Sequence, residues 1–258
     1  MTRFLATTLL FATIGAAPPA MAGGNIAYTQ DSTHFSGYLA LPRGEGTHAG
    51  VIVIQEWWGV NDWVKRQADS LADKGYVAFA PSLYQGKVAN DEETAHQLMS
   101  GLVEEDAIRT LRASADFLRS RSDVRAHAIG TIGWCMGGKY SIRLTAADPG
   151  IRACVMYYGA PIADTAAIRG IQAAVLGNFG GADQGPTPDQ VKTFEAALKK
   201  AGKKVDFKIY PGAGHAFANE TNPWGTYREA YARDAWKRTL AFFDRELKKA
   251  SVPKRARP

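Results

Sequence analysis

The chain has 258 residues, of which 46% are hydrophobic and 22% charged, with a formal net charge of +6. This balance excludes a disordered chain, a collagen-like repeat or a coiled coil, and leaves an ordinary globular protein long enough for one large α/β domain. Its two cysteines exclude a scaffold held together by disulfides.

Residues 1–22 read as an export leader. Arg3 supplies a short positive region, Phe4 to Ala17 an apolar run, and Ala20-Met21-Ala22 a small-x-small cleavage site, with the cut expected before Gly23. The run is too short to span a membrane, so the mature protein is expected to be periplasmic or secreted, with no membrane partner and as a monomer. At the other end, Lys248, Lys249, Lys254, Arg255 and Arg257 surround Pro253. Without interleaved aromatic residues this basic tail, 248–258, reads as a solvated segment, and no nucleic-acid partner is expected. The expected domain is 23–247.

Within it, Phe35 to Ala40 alternates as a strand, and Pro42 to Gly46 turns the chain into the apolar run Gly50-Val51-Ile52-Val53-Ile54, which suits a central parallel strand. Gln55-Glu56-Trp57-Trp58-Gly59 ends that run. A helix is expected over Asp62 to Lys74, stopped by Gly75, then a strand over Tyr76 to Ala80 closed by Pro81. Helical periodicity covers Asp91 to Arg121, with a break near Gly101. Ala126 to Ile132 suits a buried strand and Lys139 to Ala147 a helix; Ala153 to Tyr158 and Gln172 to Phe179 are further strands. Pro188 to Ala201 reads as a helix, Lys204 to Tyr210 as a strand, and Tyr227 to Lys249 as a long closing helix. Alternation of this kind means a mostly parallel sheet with helices on both faces, and such sheets place their ligand site at the carboxyl ends of the strands.

Between two of these elements lies Gly133-Trp134-Cys135-Met136-Gly137-Gly138, where a strand runs into glycines around one cysteine. This is the pattern of a nucleophile elbow, G-x-S-x-G, with Cys135 in the place of serine. Two other readings fit the same stretch. With Lys139 it comes within one residue of a phosphate-binding loop, broken by Tyr140 where a small hydroxyl would hold Mg²⁺, and Cys135 also fits as a buried structural thiol. The residues that decide lie further on. Glu56, Cys135, Asp183 and His215 all follow strands, whereas His34, His48, His96 and His127 do not. Cys135, Asp183 and His215 occur in the chain order nucleophile, acid, histidine. Thiol chemistry needs all three, because an imidazole must take the sulfur's proton and a carboxylate must fix the imidazole tautomer. Asp206 is a poorer acid, since it lies inside a strand, and Asp183 also fits as a turn residue in Gly-Gly-Ala-Asp-Gln-Gly.

Cys154 falls near the start of its strand and Cys135 just past the end of its own. If the strands are parallel, the two lie roughly 15 Å apart at about 3.3 Å per residue, too far for a disulfide, whose Cα atoms lie within about 7 Å. Two free thiols are expected.

These residues resemble the dienelactone hydrolase family of α/β-hydrolases, from about Gly50 to the closing helix. The resemblance is carried by Gln55-Glu56-Trp57-Trp58-Gly59-Val60-Asn61, the cysteine elbow, Gly180-Gly181-Ala182-Asp183 and Gly214-His215-Ala216-Phe217. It implies an α/β-hydrolase fold and cleavage of activated esters or lactones, a small-molecule substrate and no cofactor or metal. It also implies a Cys135-His215-Asp183 triad and an oxyanion hole from the backbone N–H groups of Trp57 and Met136. In the family the residue at Glu56 bonds the resting thiol and accepts its proton when substrate arrives. The family's substrate-gripping arginines are not matched: Asn219 stands shortly after His215, and Gln85-Gly86-Lys87 follows Tyr84. Trp58, Tyr84 and Tyr158, with Trp57 and Trp224, are candidates for an aromatic substrate pocket or for packing. The alternative function is a non-catalytic relative that uses Cys135 as a binding or redox-sensing thiol, which needs neither Asp183 nor His215 at these places.

Overall fold

A computed structural model describes residues 23–30 and 33–248. The expected leader, 1–22, and residues 249–258 of the basic tail lie outside the described residues. An eight-stranded sheet forms the centre, built from β1 (Gly24–Gln30), β2 (Thr33–Ala40), β3 (His48–Ile54), β4 (Tyr76–Pro81), β5 (Val124–Trp134), β6 (Ile151–Tyr157), β7 (Ala174–Gly180) and β8 (Val205–Tyr210). Their spatial order is β1-β2-β4-β3-β5-β6-β7-β8. The first two strands run antiparallel to their neighbours, and β3 to β8 are parallel.

Strand β3 shows why the middle of the sheet reads as an unbroken apolar run. Successive side chains leave opposite faces of a strand, so Val51 and Val53 enter one core while Ile52 and Ile54 enter the other, all fully buried. One core packs beneath α1 (Asp62–Ala72) and α7 (Glu229–Phe243), through Trp63, Leu71, Phe242 and Phe243. The other packs beneath α3 (Glu104–Ser120), α4 (Met136–Ala147) and α6 (Pro188–Lys200), through Leu111, Leu118, Leu144 and Phe194. Local signals place the helix starts. The Asn61 side chain accepts from the Val64 N–H at the start of α1, and Thr187 and Gln190 form a reciprocal capping box ahead of Pro188 at α6.

Some element boundaries differ from those expected. Strand β1 is additional: Gly24 to Gln30 has little apolar alternation, and its pairing with β2 supplies what its composition lacks. The break expected near Gly101 separates α2 (Glu92–Ser100) from α3, and a six-residue helix, α5 (Thr165–Gly170), is too short to leave a periodic signal. Helix α4 begins at Met136 rather than Lys139, because Gly137 and Gly138 belong to its first turn. The closing helix ends at Phe243 and passes into a π-helical turn, Asp244–Lys248.

Both cysteines are free, Cys154 fully buried and Cys135 partly accessible. In the register of β5 against β6, Cys154 lies opposite Thr131, four residues before the elbow cysteine. Burial pushes the Cys154 thiol up to about 11, which suppresses the reactive thiolate. Titration with a thiol-specific disulfide reagent is therefore expected to find one reactive group per folded chain and two in denaturant. Two equally fast groups in the native protein would contradict this placement.

Candidate active site

The carboxyl ends of β3, β5, β7 and β8 bring the expected residues to one rim. Between β5 and α4, Cys135 is held at φ 52° and ψ −117°, a conformation that costs a non-glycine residue on the order of 1–3 kcal/mol. Its N–H donates to the Tyr157 carbonyl at 3.0 Å. Two glycines make the turn possible by close approach. A Cβ on Gly133 would lie 2.2 Å from the Gly137 carbonyl oxygen, and one on Gly137 would lie 2.2 Å from the Ile54 carbonyl oxygen and 2.6 Å from that of Gln55. The second contact seats the N-terminus of α4 against the end of β3. Met136 is the first residue of α4, so its N–H is among the first-turn donors that have no acceptor within the helix, and Trp57 follows Gln55 and Glu56 on the adjoining loop.

Asp183 follows β7 and is 2% exposed. One carboxylate oxygen accepts from the Gly185 N–H at 2.9 Å; the other is 2.9 Å from Nδ1 of His215. His215 follows β8 through the turn Pro211 to Gly214, and the Thr226 hydroxyl donates to its backbone carbonyl at 2.5 Å. With Nδ1–H committed to Asp183, Nε2 remains for Cys135, which lines the same cleft and raises the basicity of the ring. Burial lowers the basicity of His215, but Asp183 and the sulfur outweigh it and push its pKa up to about 10. The Tyr158 ring meets the imidazole edge to face at 5.1 Å and packs one side of it.

Glu56 is 3% exposed. The resemblance implies that its carboxylate sits on the resting thiol; the structure gives it other partners. Oε2 accepts from Nδ2 of Asn219 at 2.6 Å, and Oε1 accepts from the Tyr158 hydroxyl at 3.4 Å. The physical reason lies in Asn219: its amide oxygen accepts from the backbone N–H and hydroxyl of Thr221, which turns Nδ2 toward Glu56. Burial pushes Glu56 up to about 7, against the opposing pull of Asn219, His215 and Tyr158. Asn219 was visible in the sequence only as an arginine missing, and nothing along the chain signals its contact with a residue 163 positions away.

A cleft of about 250 Å³ opens over Cys135 and His215, with Met99, Leu102, Tyr140 and Tyr158 among its walls and Lys139 and Glu104 at its edge. Lys139 lies 3.4 Å from Glu104, which also pairs with Arg143. Of the aromatic residues expected to bind substrate, Tyr158 lines this cleft. Tyr84 is buried, its hydroxyl directed at the Met136 sulfur at 3.3 Å, and it faces a separate groove with Arg109 and His34. Trp58 lines a third cleft with Trp63 and Asn61, and its ring packs on Trp57 at 5.0 Å. Tyr84 thus packs against the elbow and Trp58 against Trp57, and neither is among the residues lining the cleft over Cys135. Among the described residues no group of three or more His, Cys, Asp or Glu side chains is arranged to hold a metal ion.

The raised Glu56 value has a consequence for stability. The folded chain holds this proton up to about pH 7, whereas the unfolded chain releases it near the ordinary 4.5. Proton binding by Glu56 therefore favours the folded state fully below pH 4.5, and that contribution is lost as pH rises through 7, a change on the order of 3 kcal/mol. In Glu56→Gln, stability relative to wild type should rise across pH 4.5–7 and level off above it. Denaturant titrations at pH 4.5, 6 and 8 read this directly, and a constant difference would mean that Glu56 is not buried as an acid.

The sequence profile of the dienelactone hydrolase family matches residues 35–247. A Methylorubrum extorquens protein provisionally named carboxymethylenebutenolidase is 33% identical over 220 residues, covering 80% of this chain and 75% of its own. Among solved structures, one provisionally named dienelactone hydrolase from Klebsiella pneumoniae superposes with a TM-score of 0.78 at 28% identity, over 86% of this chain and 97% of that one. A Pyrococcus horikoshii acylaminoacyl peptidase shares the fold at a TM-score of 0.69 and 17% identity, over 90% of this chain and 43% of the peptidase. With its mostly parallel sheet and flanking helices, the chain has the α/β-hydrolase fold and belongs to the dienelactone hydrolase family.

Proposed function

We propose that this hydrolase cleaves activated carboxylic esters or lactones through a thioester on Cys135, with His215 carrying the proton and Asp183 fixing the imidazole. The observation that carries this reading is the 2.9 Å contact between Asp183 and Nδ1 of His215, which leaves Nε2 for the sulfur at the elbow. The thiolate attacks the carbonyl carbon, and the displaced π electrons collect on oxygen. The Met136 and Trp57 N–H groups stabilise that charge, helped by the N-terminus of α4. Collapse expels an alkoxide or enolate, which takes the proton from Nε2. Water then attacks the thioester as His215 removes its proton, and the second collapse returns the acid and the Cys135 thiolate.

Leaving-group chemistry narrows the substrate. A thiolate departs more readily than an alkoxide, so the first adduct reverts unless the ester itself has a good leaving group. Enol-lactones and aryl esters meet that condition. The cleft of about 250 Å³ suits a compact acyl group, and Asn219, committed to Glu56, does not offer an anion-gripping fork. A neutral, compact activated ester fits these features best.

Export is part of the same proposal. The Gly23 N–H donates to Oδ1 of Asp69 at 3.1 Å, so cleavage before Gly23 would turn this contact into an ion pair between the new terminal ammonium and Asp69. Protein recovered from the periplasm or medium should have a mass beginning at Gly23; an intact leader on the recovered protein would remove this part of the reading.

Turnover of a chromogenic aryl or enol ester is expected for the wild type and lost in Cys135→Ala. His215→Ala should fall by about 10³-fold or more and Asp183→Asn by roughly 10²–10⁴-fold, with a covalent acyl adduct on Cys135 seen by mass spectrometry in the wild type. Cys135→Ala at wild-type rate would end the proposal.

A further inference from the structure

We propose that Leu102 sets the length of the acyl group that the cleft accepts, as the wall between the space above Cys135 and a larger groove behind it. This rests on the ester-hydrolase reading above and names the residue that limits its substrate.

The two faces of the sheet meet at the elbow, and they divide the substrate between them. The turn and loop around His215 pack on the core beneath α1 and α7 through Ala213, Ala216 and Phe217, and Cys135 packs against that same core. Met136 and Tyr140 belong to the opposite core, and Met99 and Leu102, from the end of α2 and the corner that leads into α3, pack against it. In ester cleavage the leaving oxygen must lie at Nε2 of His215, from which it takes its proton. The acyl chain, on the other side of the carbonyl carbon, is therefore directed to the part of the cleft where Met99, Leu102 and Tyr140 form the walls.

Leu102 borders two spaces at once. It lines the cleft of about 250 Å³ over Cys135, and it lines a groove of about 610 Å³ together with Leu98 and Val103. Tyr84 and Met136 give a second point of the same partition, the phenol on the groove and the thioether on the cleft, 3.3 Å apart. The corner that carries Leu102 is tied at both ends. On one side the Gly101 N–H donates to the Gln97 carbonyl at 3.0 Å and the Leu102 N–H to that of Met99 at 3.2 Å, which closes α2. On the other, Glu104 at the start of α3 pairs with Lys139 and Arg143 of α4, the helix that begins beside the nucleophile. A chain that reaches Leu102 must stop there or push a packed side chain aside, which is the cost of overpacking. A smaller residue at 102 would join the cleft to the groove.

The test is the ratio of kcat/KM for p-nitrophenyl hexanoate to that for p-nitrophenyl acetate. The leaving group is the same in both, so the ratio reads how the acyl chain is held in the transition state. It should lie below one in the wild type and rise by about tenfold or more in Leu102→Ala, since each methylene taken out of water is worth roughly fourfold. In Leu102→Ala/Val103→Phe, where the added ring narrows the groove, the ratio should return toward that of the wild type, a reversal that general loosening of the corner would not show. If Leu102→Ala does not fold, Leu102→Val should raise the ratio by a smaller factor. A folded Leu102→Ala with the wild-type ratio would overturn the proposal, as would a double variant that keeps the raised one. Absent turnover of both esters by the wild type would remove the hydrolase reading and this inference with it, whereas turnover with a ratio that ignores residue 102 would remove this inference alone.

Discussion

The close approach of Gly137 to the Ile54 and Gln55 carbonyls is the constraint on which the rest of this site depends. It fixes where α4 starts, and so where the Met136 N–H sits relative to the loop that carries Glu56 and Trp57. It also forces the strained turn at Cys135, whose cost is met by the packing of β5 between β3 and β6 and by the two buried cores. A side chain on either Gly133 or Gly137 would have to displace backbone, not another side chain, so the geometry has little room to relax.

Charge in the site is managed by burial and by committed partners. Asp183 is buried, and each of its oxygens faces a donor. Glu56 is equally buried, and the loss of water around it outweighs its two donors, so its proton is held to about pH 7. At the cleft edge, Lys139, Arg143 and Glu104 form a small ionic group above walls that are otherwise apolar or aromatic.

Tyr158 connects the parts. It follows β6 at φ 39°, donates to Glu56, packs on His215 and Phe217, and lines the cleft. One side chain therefore touches the acid, the imidazole and the space for substrate. Its backbone N–H, bonded to the Asn178 carbonyl at 2.9 Å, ties that position to β7, the strand that carries Asp183 at its end.

The amino-acid sequence by itself determined the alternation of strands and helices, because buried parallel strands must be apolar on both faces and amphipathic helices must cover them. It also determined that Glu56, Cys135, Asp183 and His215 share one rim, because each follows a strand and parallel strands end on the same side. It did not reveal β1, whose residues become a strand only by pairing with β2, or the start of α4, where Gly137 and Gly138 look like loop residues and are in fact helical residues chosen for closeness. Nor could it sort the aromatic residues, since Tyr84, Trp58 and Tyr158 all lie near strand ends in sequence, and only the tertiary structure turns Tyr158 into the cleft. The bond from Asn219 to Glu56 was likewise beyond it, because a hydrogen bond between distant loops depends on where the fold sets their ends and leaves no periodicity in the chain.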